Sequence, residues 1–200
     1  RNYFRGLLFG FIILVKPFAG FWDMKHEKKG NLRSSLTYLI LLVIISIFMV
    51  QYSGFIFNTN EIKGISIIDE ITKILGPFIL WCVASWSVTT LIEGEGTFRD
   101  IAMGTGYAVM PLLFSRIFYL LLSNILLLNE GALLSVVLYI GIAWSMLLVF
   151  TSTLVIHQFS AAKNIFALLL SFIVVGIIIF LGLLFINLIE QMYDYIYSIY

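Results

Sequence analysis

Charge is scarce in this chain: Asp, Glu, Lys and Arg make up 12% of its 200 residues, where soluble domains carry about 25%. Too few ionised side chains remain to cover a water-facing surface. Cysteine is nearly absent, with Cys82 alone inside an apolar run, which excludes an intramolecular disulfide framework and a thiolate cluster for zinc. That thiol reads as a small buried hydrophobe. Histidine is limited to His26 and His157, and neither has a second His or Cys at ligand spacing, so no metal site is expected. Nucleophile elbow, phosphate-cradling loop and dinucleotide fingerprint are all missing. Gly94, Gly96, Gly104 and Gly106 lack the strand-to-helix setting those loops require. No catalytic residue, cofactor or nucleic-acid partner is therefore expected.

What the chain has instead is long apolar runs, with 61% hydrophobic residues and a mean hydropathy of +1.04. The expected fold is all-α, a polytopic integral membrane bundle of five spanning helices with short interfacial helices between them. At about 20 residues per crossing, the spans fall near 34–57, 74–92, 108–128, 133–156 and 165–189. This divides the chain into an amino-terminal segment (1–33), a transmembrane domain (34–189) and an interfacial tail (190–200) rich in tyrosine. Residues 6–15 are apolar but bounded by Arg5 and Lys16-Pro17, too short a run to cross. An interfacial or re-entrant helix is expected there. The chain opens on Arg1 rather than Met, which implies missing upstream sequence, and no cleavable signal peptide is visible.

Between the spans, polar residues mark helix starts. Ser66 stands three residues before Asp69, and Thr97 three before Asp100, both capping signatures. The first points to a short amphipathic surface helix ahead of Gly76-Pro77. The second points to a short helix over 98–103 between glycine hinges. Of twelve basic residues, nine fall on one side of these spans: Arg1, Arg5, Lys16, Lys25, Lys28, Lys29, Arg33, Arg99 and Lys163. Lys63 and Lys73 fall on the other, and Arg116 within a span. The asymmetry puts the amino end in the cytoplasm and the carboxyl end outside. Lys16, Lys25, Lys28, Lys29 and Arg33 would meet anionic headgroups.

Three other groups stand out. Arg116 and Asn124 are polar residues within a span, and a buried arginine must snorkel or pair; Glu93 and Asp100 are the expected partners. Glu93, Glu95, Arg99 and Asp100 cluster in the polar loop 93–107, where they would cap helices or meet a partner. Gly141 with Ser145 and Ala167 with Ser171 are small pairs four apart, suited to helix packing within the bundle or between copies.

Several short motifs then resemble one family. Pro17 with Phe21-Trp22 and Lys25, Gly76-Pro77-Phe78, Glu93-Gly94-Glu95-Gly96-Thr97-Phe98-Arg99, and Gly106-Tyr107 with Pro111 are similar to the bacterial branch of the Yip family. Those are five-span proteins whose eukaryotic members interact with Ypt/Rab GTPases. The resemblance extends over most of the chain and implies a membrane scaffold or adaptor in a bacterial cytoplasmic membrane, with membrane-protein partners. It maps the family's glycine-tyrosine motif to Gly106 and Tyr107, which are expected on the partner-binding surface with Glu93, Glu95, Arg99 and Asp100. Two other readings stay open: an accessory subunit of a transport complex such as an ABC importer, and a small transporter with a polar path along Arg116, Asn124 and Glu93.

Overall fold

A computed structural model describes residues 2–54 and 67–199, with side chains from 3 to 197 within those limits. The described residues form eight α-helices and one 3-10 turn. They are α1 (Asn2–Val15), α2 (Pro17–His26), α3 (Leu32–Tyr52), α4 (Ile67–Leu91), α5 (Phe98–Ala108), α6 (Met110–Ser123), α7 (Gly131–Ile156) and α8 (Ala161–Ile199). The chain is thus an all-α bundle. Five helical stretches are long and apolar enough to cross a membrane: Leu32–Tyr52, Ile67–Leu91, Phe98–Ser123, Leu128–Ile156 and Ala161–Tyr197.

Local chemistry accounts for the helix starts. The Asn31 side chain accepts from the Arg33 N–H and caps α3. Thr97 and Asp100 cap α5 reciprocally, as their spacing predicts. The expected surface helix before Gly76-Pro77 is instead the first part of α4, which runs unbroken from Ile67 through Pro77. Ser66 lies outside the described residues. Proline removes one ladder bond, and a span tolerates it where neighbouring helices shield the freed carbonyl.

The third span also differs from expectation, because it starts at Phe98 rather than near 108. Val109 (φ −78°, ψ −6°) stays near helical geometry and joins α5 to α6. Every residue from Ile101 to Ala108 is buried. Glycines read as hinges serve as contact points instead, because α5 is wedged between α3 and α7. The fifth span and the tail are likewise one helix: α8 has 39 residues, about 58 Å. Trp81 of α4 meets Phe172 of α8 at 5.2 Å. From 181 to 197 every α8 side chain is exposed.

The helices α1 and α2 form a re-entrant hairpin. Tyr3 of α1 bonds Thr37 near the start of α3, at 2.9 Å, and Lys25 of α2 returns to Asp100 at the start of α5. Both arms therefore begin and end at one pole of the bundle, here termed the basic end. Between them the hairpin goes deep, since Trp144 Nε1 donates to the Leu14 carbonyl at 3.3 Å. Trp144 stands twelve residues before Ile156, where α7 ends, about 18 Å along the helix axis. Lys16, with non-helical backbone (φ −128°, ψ 72°), and Pro17 make the tip. The expectation that Lys16 sits at the membrane surface is thus corrected: it lies well within the length of the spans. Phe9, Ile13, Phe21 and Met24 of the hairpin join the main apolar core with Tyr107, Met110 and Leu148.

Candidate functional site

At the basic end, three connections meet: the end of α2, the α4–α5 loop and the α7–α8 turn. The hub is His157, 2% exposed. Its Nδ1 accepts from the Gly96 N–H at 3.1 Å, which assigns the ring proton to Nε2. Gly96 is needed for this approach, because a Cβ there would lie 2.5 Å from the imidazole Cε1. The ring stacks on Phe159 at 5.3 Å, and Nε2 is buried without a hydrogen-bond partner among the described residues. Burial, then the nearby Lys25 ammonium, push the imidazole down to about 4, with Asp100 opposing.

Around the hub the polar residues hold one another. Lys25 Nζ donates to Asp100 Oδ2 at 2.9 Å and to the Glu95 carbonyl at 3.1 Å. Asp100 also accepts from the Thr97 N–H and hydroxyl, at 3.1 and 2.8 Å. Gln158 Nε2 donates to the Glu95 carboxylate at 2.7 Å. Glu93 and Gln158 turn the chain in left-handed geometry, at φ 58° and 53°, just beyond the ends of α4 and α7. The loop is therefore braced rather than loose. Lys25 is drawn into the molecule and is not free to meet headgroups as expected, whereas Lys29 pairs with Asp23 and Glu27 but stays exposed. Lys28 and Arg33 remain exposed.

Gly106 and Tyr107 lie inside the bundle, which corrects their expected place on a partner surface. The Tyr107 hydroxyl accepts from the Asn31 N–H at 3.2 Å and donates to the Gly6 carbonyl at 3.0 Å. Its ring packs against Phe9 and Tyr38, at 6.1 and 5.9 Å. A Cβ on Gly106 would come within 3.0 Å of Ser35, so glycine sets the close approach of α5 to α3. The pair thus ties the hairpin, α3 and α5 together.

What the basic end exposes is Glu93, Glu95 and Arg99. Arg99 makes no hydrogen bond or ion pair among the described residues. It shares a cleft of about 630 Å³ with Arg5, Glu27, Lys28 and Lys29, floored by Phe9. Lys29 is matched by Glu27 and Asp23, and Arg5, Lys28 and Arg99 leave the cleft electropositive.

The intramembrane polar residues lie elsewhere. Arg116 donates to the Ser46 hydroxyl and lines a small cleft with Glu70. Sixteen residues separate it from Asp100 along α5 and α6, about 24 Å. Neither Asp100 nor Glu93 can reach it, which corrects the expected pairing. Asn124 caps the far end, its Nδ2 donating to the Tyr52 and Leu120 carbonyls at 3.1 and 2.8 Å. Since Glu93, Arg116 and Asn124 stand at three depths, they do not line one path. The small pairs pack inward: Gly141 meets Ser115 of α6, and Ala167 and Ser171 are 0% and 1% exposed. The Ser145 hydroxyl oxygen is buried as well. Gly141, Ala167 and Ser171 are therefore not available to a second copy.

Composition could not reveal His157 as the hub, because its partner Gly96 is 61 residues away. One signal was present: His157, Gln158 and the loop 93–100 fall at the same end of their respective spans. A family model described as the Yip1 domain matches residues 11–184. No curated protein and no solved structure matches the chain.

Proposed function

Because the chain belongs to the Yip1 domain family and is an integral membrane protein, we propose that it is a non-enzymatic scaffold or adaptor that engages membrane-protein partners through its basic end. The observation that carries this reading is Arg99. It is exposed and unpaired among the described residues, at the rim of the electropositive cleft, while Lys25, Asp100 and His157 behind it hold the loop in one shape. A rigid rim loses little conformational entropy on binding. The complementary partner is an acidic segment, steered by Arg5, Lys28 and Arg99.

Reversing the rim charge tests this. Arg99→Glu removes no internal bond, so stability in mild detergent should stay within about 0.5 kcal/mol of the parent. Proteins that co-purify from the native membrane should be lost. An unchanged partner set would sink the adaptor reading, and a permease or ATPase among the partners would mark a transport-complex subunit instead.

We further propose that the basic end faces the cytoplasm of a bacterial cell, on the asymmetry of positive charge. With Cys82 replaced by serine, a cysteine at Asn129 should be labelled in intact cells. One at Lys28 should be labelled only after permeabilisation. The reverse pattern would invert the topology.

A further inference from the structure

The tip of the α1–α2 hairpin places a cation where lipid offers it nothing. Lys16 follows Leu14 and Val15, and Leu14 is bonded by Trp144 near the middle of α7, thirteen residues past Gly131 and twelve before Ile156. The ammonium therefore belongs to the middle of the spans, about 18 Å from the basic end. Lys16 is exposed, and its side chain makes no hydrogen bond or ion pair among the described residues. Half of a hydrocarbon core about 30 Å thick separates it from either interface, more than a four-carbon stem can reach. A charge at that depth calls for a counter-charge at the same depth.

Beside the tip lies room for the group that supplies one. Leu14 and Val15 open a groove of about 680 Å³, walled by Phe114 and Leu122 of α6 and by Ile140 and Trp144 of α7. None of its lining residues is charged. It continues where the hairpin stops, along α6 from Phe114 to Leu122, about 12 Å. Val15, at its mouth, is 73% exposed.

We propose that Lys16 and this groove receive a spanning helix of a different membrane protein that carries an Asp or Glu at mid-depth. Charge and depth together select that occupant. A phospholipid keeps its phosphate at the interface, about 15 Å away. A second copy, inserted the same way, has its described carboxylates nearer the poles. Its Asp23 pairs with Lys29 where α2 returns to the basic end, and its Glu70 stands 21 residues before Leu91 at that end of α4, about 31 Å away against about 18 Å for Lys16. The contact rests on the reading that the chain engages membrane-protein partners, and it shares no residue with the rim at the basic end.

The test uses the full chain in phosphatidylcholine vesicles, with two synthetic spanning peptides of leucine and alanine that are identical except for Glu or Gln at the centre. Energy transfer from a labelled peptide to the labelled chain measures association. The parent should bind the Glu peptide about tenfold better than the Gln peptide, the upper range for one polar contact between helices in lipid. Lys16→Gln should erase that preference, and Lys16→Glu should transfer it to a peptide with Lys at the centre. Arg99→Glu should leave it intact, so this contact and the basic rim stand or fail separately. Equal binding of the Glu and Gln peptides by the parent, or a preference that survives Lys16→Gln, would overturn the proposal. So would energy transfer between two labelled copies of the chain that Lys16→Gln abolishes, since a second copy would then be the occupant.

Discussion

Replacing Tyr107 by phenylalanine is expected to lower the unfolding free energy by about 2 kcal/mol, because the Gly6 carbonyl and the Asn31 N–H would lose a buried partner. Alanine should cost more, about 3–5 kcal/mol, by adding a cavity where the ring meets Phe9 and Tyr38. The loss should be concentrated in the hairpin. Tyr107 is 0% exposed, and two of its bonds reach Gly6 of α1 and Asn31 just before α3. Denaturant titration in detergent gives the total, and limited proteolysis gives the location: cleavage before Asn31 should accelerate first. The outcome that would refute this is a Tyr107→Phe protein of parental stability that has lost its partners. In that case the glycine-tyrosine motif would be a recognition element after all, despite its burial.

The second large effect is one of pH. In the unfolded chain the His157 imidazole titrates near its ordinary value of about 6.5, whereas burial and the Lys25 charge hold it near 4 in the fold. Above both values neither state is protonated, and the contribution to stability is complete. As pH falls from 6.5 towards 4, the unfolded chain alone takes up the proton, so stability declines. The loss sums to about 3 kcal/mol and levels off below 4. Carboxylates titrate in the same window, so the informative quantity is a difference. The stability gap between the parent and His157→Phe should shrink by about 3 kcal/mol between pH 7 and pH 4. A gap that stays constant would mean that the ring is reached by water and titrates normally.

These two expectations concern residues that sequence reasoning treated in opposite ways. Tyr107 stood out because it belongs to a recognisable motif, and its role was misplaced. His157 belongs to no motif and reads in the sequence only as a histidine without a second ligand nearby. In both cases the deciding fact is a bond across a large separation, 101 residues for Tyr107 to Gly6 and 61 for His157 to Gly96. Neither hydropathy nor helical period carries information at that range. The loop 93–100 shows the reverse, since the Thr97–Asp100 capping box needs only neighbours three apart and was fully legible. Its glycines were legible as special positions but not as contacts: a glycine that permits a hinge and one that permits helix approach look alike until the second helix is in place.

The sequence by itself determined the class of molecule and its local grammar. Runs of apolar residues long enough to cross a bilayer must become helices, because no water is there to satisfy the backbone. Caps and basic residues then mark where those helices begin and which pole carries the charge. Only the tertiary structure decided how deep a residue lies and what it meets there. Lys16 belongs by sequence with Lys28 and Arg33, yet the hairpin carries it about 18 Å along α7, to the level of Trp144. Arg116 belongs by sequence with the acidic loop, yet α5 and α6 join into one span and deliver it to Ser46 and Glu70. The physical reason is the same for both. The bilayer selects helices by composition alone, while the pairing of their faces depends on close approaches and crossings that involve residues remote in the chain.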